Sequence, residues 1–138
     1  MIEEILNSSE QMIAFGVELI KSIKAGDVIY LIGDLGAGKT TLTKGILKGF
    51  GYSGNIKSPT YTLVESYPFN NLQVHHFDLY RISDPEELEW IGIRDYFNDE
   101  SITLIEWPEK GDGFIPEASL QLNISYTEND GRKISYKG

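Results

Sequence analysis

Apolar positions in the first quarter of the chain recur at helical spacing. Met12, Ile13, Val17, Leu19, Ile20 and Ile23 follow Ser8-Ser9-Glu10-Gln11, which has the Ser-x-x-Gln form of a capping box, so the pattern predicts an amphipathic helix over about 9 to 24. The period then changes. Val28-Ile29-Tyr30-Leu31-Ile32 is an unbroken β-branched and aromatic run, short enough for a strand buried on both faces. Beyond a glycine-rich turn, Leu42, Ile46 and Phe50 fall on one face of a second helix running from Lys39 to about 49. Gly49 to Asn55, with Pro59 close behind, predicts a loop through 51 to 60.

The second half reads mainly as strands. Tyr61 to Tyr67 and Leu72 to Asp78 flank Pro68-Phe69-Asn70-Asn71, a hairpin signal. Pro85 and the acidic Glu86-Glu87-Leu88-Glu89 open a short helix whose first turn suits the helix dipole, its acids forming a solvated face. Ile102-Thr103-Leu104-Ile105 is a second buried-type strand ending at Glu106. Ser119 to Tyr126 and Lys133 to Tyr136 alternate as a terminal hairpin turning at Asn129-Asp130-Gly131. The fold class expected is α/β, a three-layer P-loop NTPase with a mixed, partly parallel central sheet flanked by helices and antiparallel hairpins, formed by a single domain over 1–138.

Composition narrows the chemistry. With no cysteine in 138 residues, disulfides, thiolate metal sites and cysteine nucleophiles are excluded. His75 and His76 are the only histidines and alternate faces of a strand; without a third ligand they read as strand residues rather than a metal site. No secretory leader or membrane span is expected, which suits a cytoplasmic protein. Twelve basic against 21 acidic residues give a net charge of −9, which argues against a broad nucleic-acid-binding face.

The informative segment is Gly33-Asp34-Leu35-Gly36-Ala37-Gly38-Lys39-Thr40, a full G-x-x-x-x-G-K-[ST] between a buried strand and a helix. Here the glycines allow successive backbone N–H groups to face a phosphate chain and the helix N-terminus adds its dipole. Lys39 is then placed for the β- and γ-phosphates, Thr40 for Mg²⁺, and Thr41 for the α-phosphate side. A P-loop enzyme also needs an acid at the end of a hydrophobic strand. Glu106 and Asp78 both qualify, Glu106 being favoured for the metal and Asp78 for the attacking water or the metal's outer shell. Thr60, in the Ser58-Pro59-Thr60 turn, sits where switch-type NTPases place a γ-phosphate-sensing hydroxyl. Trp107 either covers the nucleotide or packs in the core.

Four blocks, GDLGAGKTTLTKGIL from Gly33, SPTYTLVESY from Ser58, HFDLYRISDPEELEWIGIRDYF from His76 and IEWPEKG from Ile105, resemble the TsaE (YjeE) family of bacterial P-loop ATPases. The resemblance implies ATP binding and hydrolysis with the TsaD and TsaB proteins, in support of N6-threonylcarbamoyladenosine formation at position 37 of tRNAs reading ANN codons. It implies that the loop from Gly33 to Thr41 holds ATP, that Thr40 and Glu106 meet the magnesium, and that Asp78, Thr60 and Trp107 are functional. Ser8 to Gln11 and Arg132 resemble weaker nucleotide-contacting positions. The partners, rather than this acidic chain, would hold the tRNA. Arginine is scarce, at Arg81, Arg94 and Arg132, and none is obviously aimed at a γ-phosphate, so a slow ATPase completed by a partner is expected. A small-molecule kinase and an ATP-dependent, non-hydrolytic interaction switch are the rival readings.

Overall fold

The computed structural model describes residues 1–137. Seven strands form one sheet: β1 (Ile2–Leu6), β2 (Val28–Ile32), β3 (Val64–Phe69), β4 (Leu72–Asp78), β5 (Ser101–Glu106), β6 (Leu120–Tyr126) and β7 (Arg132–Tyr136). Their spatial order is β1-β7-β6-β2-β5-β4-β3. The four central strands are parallel, β2 pairing with β5 and β6, and β4 with β5. Antiparallel pairs close both sides, β3 on β4 at one and β7 and β1 beyond β6 at the other. The expected mixed sheet with outer hairpins is therefore what forms.

The helices α1 (Ser9–Leu19) and α2 (Lys39–Gly49) cover one face. Met12, Phe15, Leu42 and Ile46 pack there on Ile29, Leu31, Leu104 and Leu122, each such burial contributing about 1.5–3 kcal/mol. The helices touch along glycines: a Cβ on Gly16 would stand 2.8 Å from the backbone of Gly45 and Ile46, so only hydrogen fits between them. The other face is covered by the single-turn α3 (Glu87–Trp90) and 3₁₀ turns at Ile93–Tyr96 and Pro108–Gly111, with Leu88 and Ile93 over Val28, Phe77 and Ile105.

Several boundaries differ from the sequence-based expectation. The first helix ends at Leu19 and tightens into a 3₁₀ turn over Ile20–Ser22 instead of running to 24, a common way for a final turn to close. Ser8 caps it as expected, accepting from the Gln11 amide at 3.1 Å, but Gln11 returns its side chain to the Asn7 amide rather than to that of Ser8. Residues 61–63 are a turn, not a strand, because the Leu63 amide folds back onto the Pro59 carbonyl and Leu63 takes φ 75°. The strand then runs past Pro68 to Phe69, which is possible because β3 lies at the edge of the sheet and the missing N–H costs no ladder bond. Strand β1 was not anticipated. Ile2-Glu3-Glu4-Ile5 lacks strict alternation, and its pairing to β7 is long-range.

His75, in the middle of β4, is buried between Ser66 and Ser101, with Nδ1 2.7 Å and Nε2 3.3 Å from their hydroxyls and Tyr96 edge-on. Burial lowers its pKa below the ordinary 6.5. The unfolded chain thus takes up a proton that the folded chain resists, so the contribution of neutral His75 is complete above pH 6.5 and is lost as pH falls below it. Denaturation midpoints measured between pH 7.5 and 5.5 are expected to drop more for the wild type than for His75→Gln; parallel curves would contradict this.

Candidate nucleotide site

Parallel pairing brings three strand ends to one edge. Ile32 ends β2 and hands the chain to the glycine loop, Asp78 ends β4, and Glu106 ends β5; Asp78 and Glu106 are ladder partners. Carboxyl ends of parallel strands are where α/β sheets bind ligands, since the chain there opens into loops and helix N-termini.

The loop itself is held by the terminal hairpin. Gly36 and Gly38 adopt φ 80° and 113°, conformations that L side chains rarely take. Arg132 of β7 donates to the carbonyls of Ala37 at 3.0 Å and Gly36 at 3.3 Å, and also to those of Asp130 and Gly131. Tyr126 of β6 donates to the Leu35 carbonyl at 3.2 Å and lies under the Arg132 guanidinium at 4.2 Å. In a planar trans peptide the C=O and N–H point opposite ways, so fixing the carbonyls of Leu35, Gly36 and Ala37 on the hairpin turns the amides of Gly36, Ala37 and Gly38 away from it. The Ala37 amide closes a turn on Asp34. Lys39, Thr40 and Thr41 supply first-turn amides of α2, which no preceding turn can satisfy.

Lys39 is buried, its ammonium donating to the Gly33 carbonyl at 2.6 Å, lying 4.3 Å above the Trp107 ring and 3.7 Å from Glu106 Oε1. Glu106 Oε2 is engaged by His76 Nε2 at 2.6 Å. Asp78 accepts from the Tyr80 amide at 3.0 Å through Oδ1 and meets the Thr60 hydroxyl at 3.4 Å through Oδ2, while Thr60 also reaches Ser58 at 2.8 Å. Trp107, in the left-handed region at φ 57°, swings the chain out of β5; its ring packs on Tyr80 at 5.0 Å, with Lys110 beyond. Trp107 packs against the core under α3, and its ring also flanks the lysine.

Beside the loop, a cleft of about 140 Å³ is lined by Asn7, Ser8, Met12, Gly38, Thr41 and Arg132. The structure therefore gathers the whole run from Gly33 to Thr41 with Asp78, Glu106, Thr60 and Trp107 at one edge, and the Ser8 segment with Arg132 beside it. Asp34, Leu35 and Gly36 are exposed at the rim. A wider cleft of about 500 Å³, around His75, Tyr96 and Ser101, lies at the amino-terminal ends of β4 and β5 and includes none of these residues. Sequence reasoning missed His76 and Tyr126. The signal for His76 was its place two residues before Asp78, on the same side of one strand.

The oxygen set suits a hard divalent cation. Glu106 Oε1 has only the ammonium at 3.7 Å, beyond hydrogen-bond reach, and Thr40 is exposed. Among the described residues no three or more acids or histidines cluster to cage a metal, whereas Mg²⁺ at nucleotide sites takes one or two protein oxygens and completes its shell from phosphates and water.

A strand, a glycine loop closed by a helix, and acids on neighbouring parallel strands define a P-loop-like α/β fold. The family described as threonylcarbamoyl adenosine biosynthesis protein TsaE matches residues 6–134, and this chain belongs to it. It is 63% identical over 107 residues to the tRNA threonylcarbamoyladenosine biosynthesis protein TsaE of Haemophilus influenzae, covering 78% of this chain and 67% of that one. It is 40% identical over 113 residues to the protein of that name from Bacillus subtilis, covering 82% and 70%. A crystal structure of Bacillus subtilis YdiB superposes with a TM-score of 0.82 at 30% identity, over 98% of this chain and 83% of that one.

Replacing Arg132 by alanine removes charged hydrogen bonds worth about 1.5–3 kcal/mol each where desolvated, fewer here because the side chain is part-exposed. Amide hydrogen exchange is expected to accelerate at Ala37, whose amide closes the turn on Asp34, while α2 beyond Leu42 stays protected. Uniform acceleration would mean a general loss of stability instead.

Proposed function

We propose that the chain binds ATP with Mg²⁺ and hydrolyses it, as the ATPase required for N6-threonylcarbamoyladenosine formation in tRNA, acting in the cytoplasm with TsaD and TsaB. The observation that carries this is the meeting of Lys39 and Glu106 beneath the glycine loop, in a chain of the TsaE family. In this reading the amides of Gly36 and of Gly38 to Thr41 hold the phosphates and Lys39 bridges the β- and γ-oxygens. The purine and ribose rest in the cleft between the Ser8 segment and Arg132. Thr40 and Glu106 hold Mg²⁺, which when bound neutralises charge on the phosphate oxygens.

Asp78 is the group that orients the attacking water. One of its oxygens is fixed by the Tyr80 amide, and the other faces Thr60, whose loop would reorder around the γ-phosphate. The arginines favour slow intrinsic turnover: Arg132 is bound to loop carbonyls, Arg81 stacks on Tyr61 and Arg94 pairs with Glu89. A stabilising cation for the transition state is then left to a partner. The tRNA is contacted only through the complex, in keeping with the net charge of −9.

Lys39→Ala is expected to weaken ATP binding by at least tenfold in calorimetry, since a charged hydrogen-bond donor to the phosphates is lost. Asp78→Ala should retain much of the binding, Glu106→Ala much of the binding measured without Mg²⁺, and both should lower phosphate release by about 10²-fold or more. A second measurement addresses the partners: turnover should rise on adding TsaD and TsaB, and equal rates with and without them would exclude completion of the site in trans. In a reconstituted system, omission of this chain alone should sharply reduce tRNA modification; undiminished modification would overturn the assignment.

A further inference from the structure

His76 is wholly buried, on the β4 face that carries Asp78, and its Nε2 lies 2.6 Å from Glu106 Oε2. Its Nδ1 has no partner among the described residues. That orphan identifies the tautomer. A proton on Nδ1 would bury an unsatisfied donor and set a lone pair against the carboxylate at 2.6 Å; a proton on Nε2 makes a charge-assisted hydrogen bond and leaves only an unfilled acceptor inside. Imidazole thus donates to Oε2 and fixes the carboxylate plane. Oε1 is the oxygen turned toward Lys39, 3.7 Å away, and toward the loop. A carboxylate rotating about its last bond would offer either oxygen or both; with Oε2 tied down, Glu106 has one oxygen to give.

We infer that His76 is a positioning residue for the metal, holding Glu106 in the single-oxygen presentation that an octahedral Mg²⁺ bound to ATP requires. This rests on the ATP and Mg²⁺ reading proposed above. It accounts for a wholly buried imidazole, where an apolar side chain would pack without the desolvation cost. Partners of this kind, behind a metal ligand, typically change metal affinity by 10- to 100-fold.

The test is the gain in ATP affinity on going from excess EDTA to saturating Mg²⁺, read by calorimetry on the full chain. His76→Leu is expected to reduce that gain by at least tenfold while leaving the affinity in EDTA within about twofold. His76→Gln, whose amide can reach Oε2, should recover most of it. In a Glu106→Gln background the His76→Leu change should have no further effect, as for two residues acting through one contact. Should His76→Leu not fold, by thermal melting, His76→Asn serves, its amide falling short of the carboxylate. The inference is overturned if the leucine or asparagine variant keeps the wild-type Mg²⁺ gain, or if affinity in EDTA falls in step. A wild-type chain that binds no ATP, or gains nothing from Mg²⁺, would instead bring down the ATP and Mg²⁺ reading, and this inference with it.

Discussion

The site depends on the in-register parallel pairing of β2, β5 and β4. Because Leu31 pairs with Glu106 and Glu106 with Asp78, a glycine loop and two carboxylates emerge at one level although they are separated by some seventy residues of sequence. A slip of one residue would turn Glu106 to the opposite face, toward α3, and bring Ile105 under the lysine. The register is fixed by burial on both faces. Leu104, on one side, and Ile105, on the other, are each fully enclosed, and a one-residue slip would carry the Glu106 carboxylate into the core under α3.

The loop's shape comes from a different source. Strand, glycines and helix set the ends of the segment, but its middle is pinned by Arg132 and Tyr126, nearly a hundred residues further on. The amides are aimed by hydrogen bonds to their carbonyls on the far side of the same peptides. The glycines at 36 and 38 make this backbone path possible, and the hairpin makes it the one adopted.

Much of this was legible in the sequence, for local reasons. The runs at 28–32 and 102–106 declare themselves as doubly buried strands, and the G-x-x-x-x-G-K-[ST] spacing identifies its turn, because both signals are complete within a few residues. What stayed hidden was long-range. Strand β1 exists only because β7 offers it an edge, and Arg132 meets the loop only once the terminal hairpin has docked beside β2. Leu63 at positive φ defeats a rule that is otherwise sound, since a leucine in Tyr-Thr-Leu-Val reads as strand until the Pro59 carbonyl captures its amide. His76 could be placed on the right side of β4 by counting twos from Asp78, but its contact with Glu106 required knowing that β4 and β5 are neighbours.

The two borders of the sheet are finished differently. At β3 the imino nitrogen of Pro68 cannot donate, and at β1 the consecutive Glu3 and Glu4 put a carboxylate on each side of the ribbon. A second copy approaching edge to edge would lack a donor at one border and meet like charge at the other. An open sheet that exposes main-chain groups on both flanks is in this way kept from growing into a continuous β-ribbon, and any association between chains is left to the surfaces above and below it.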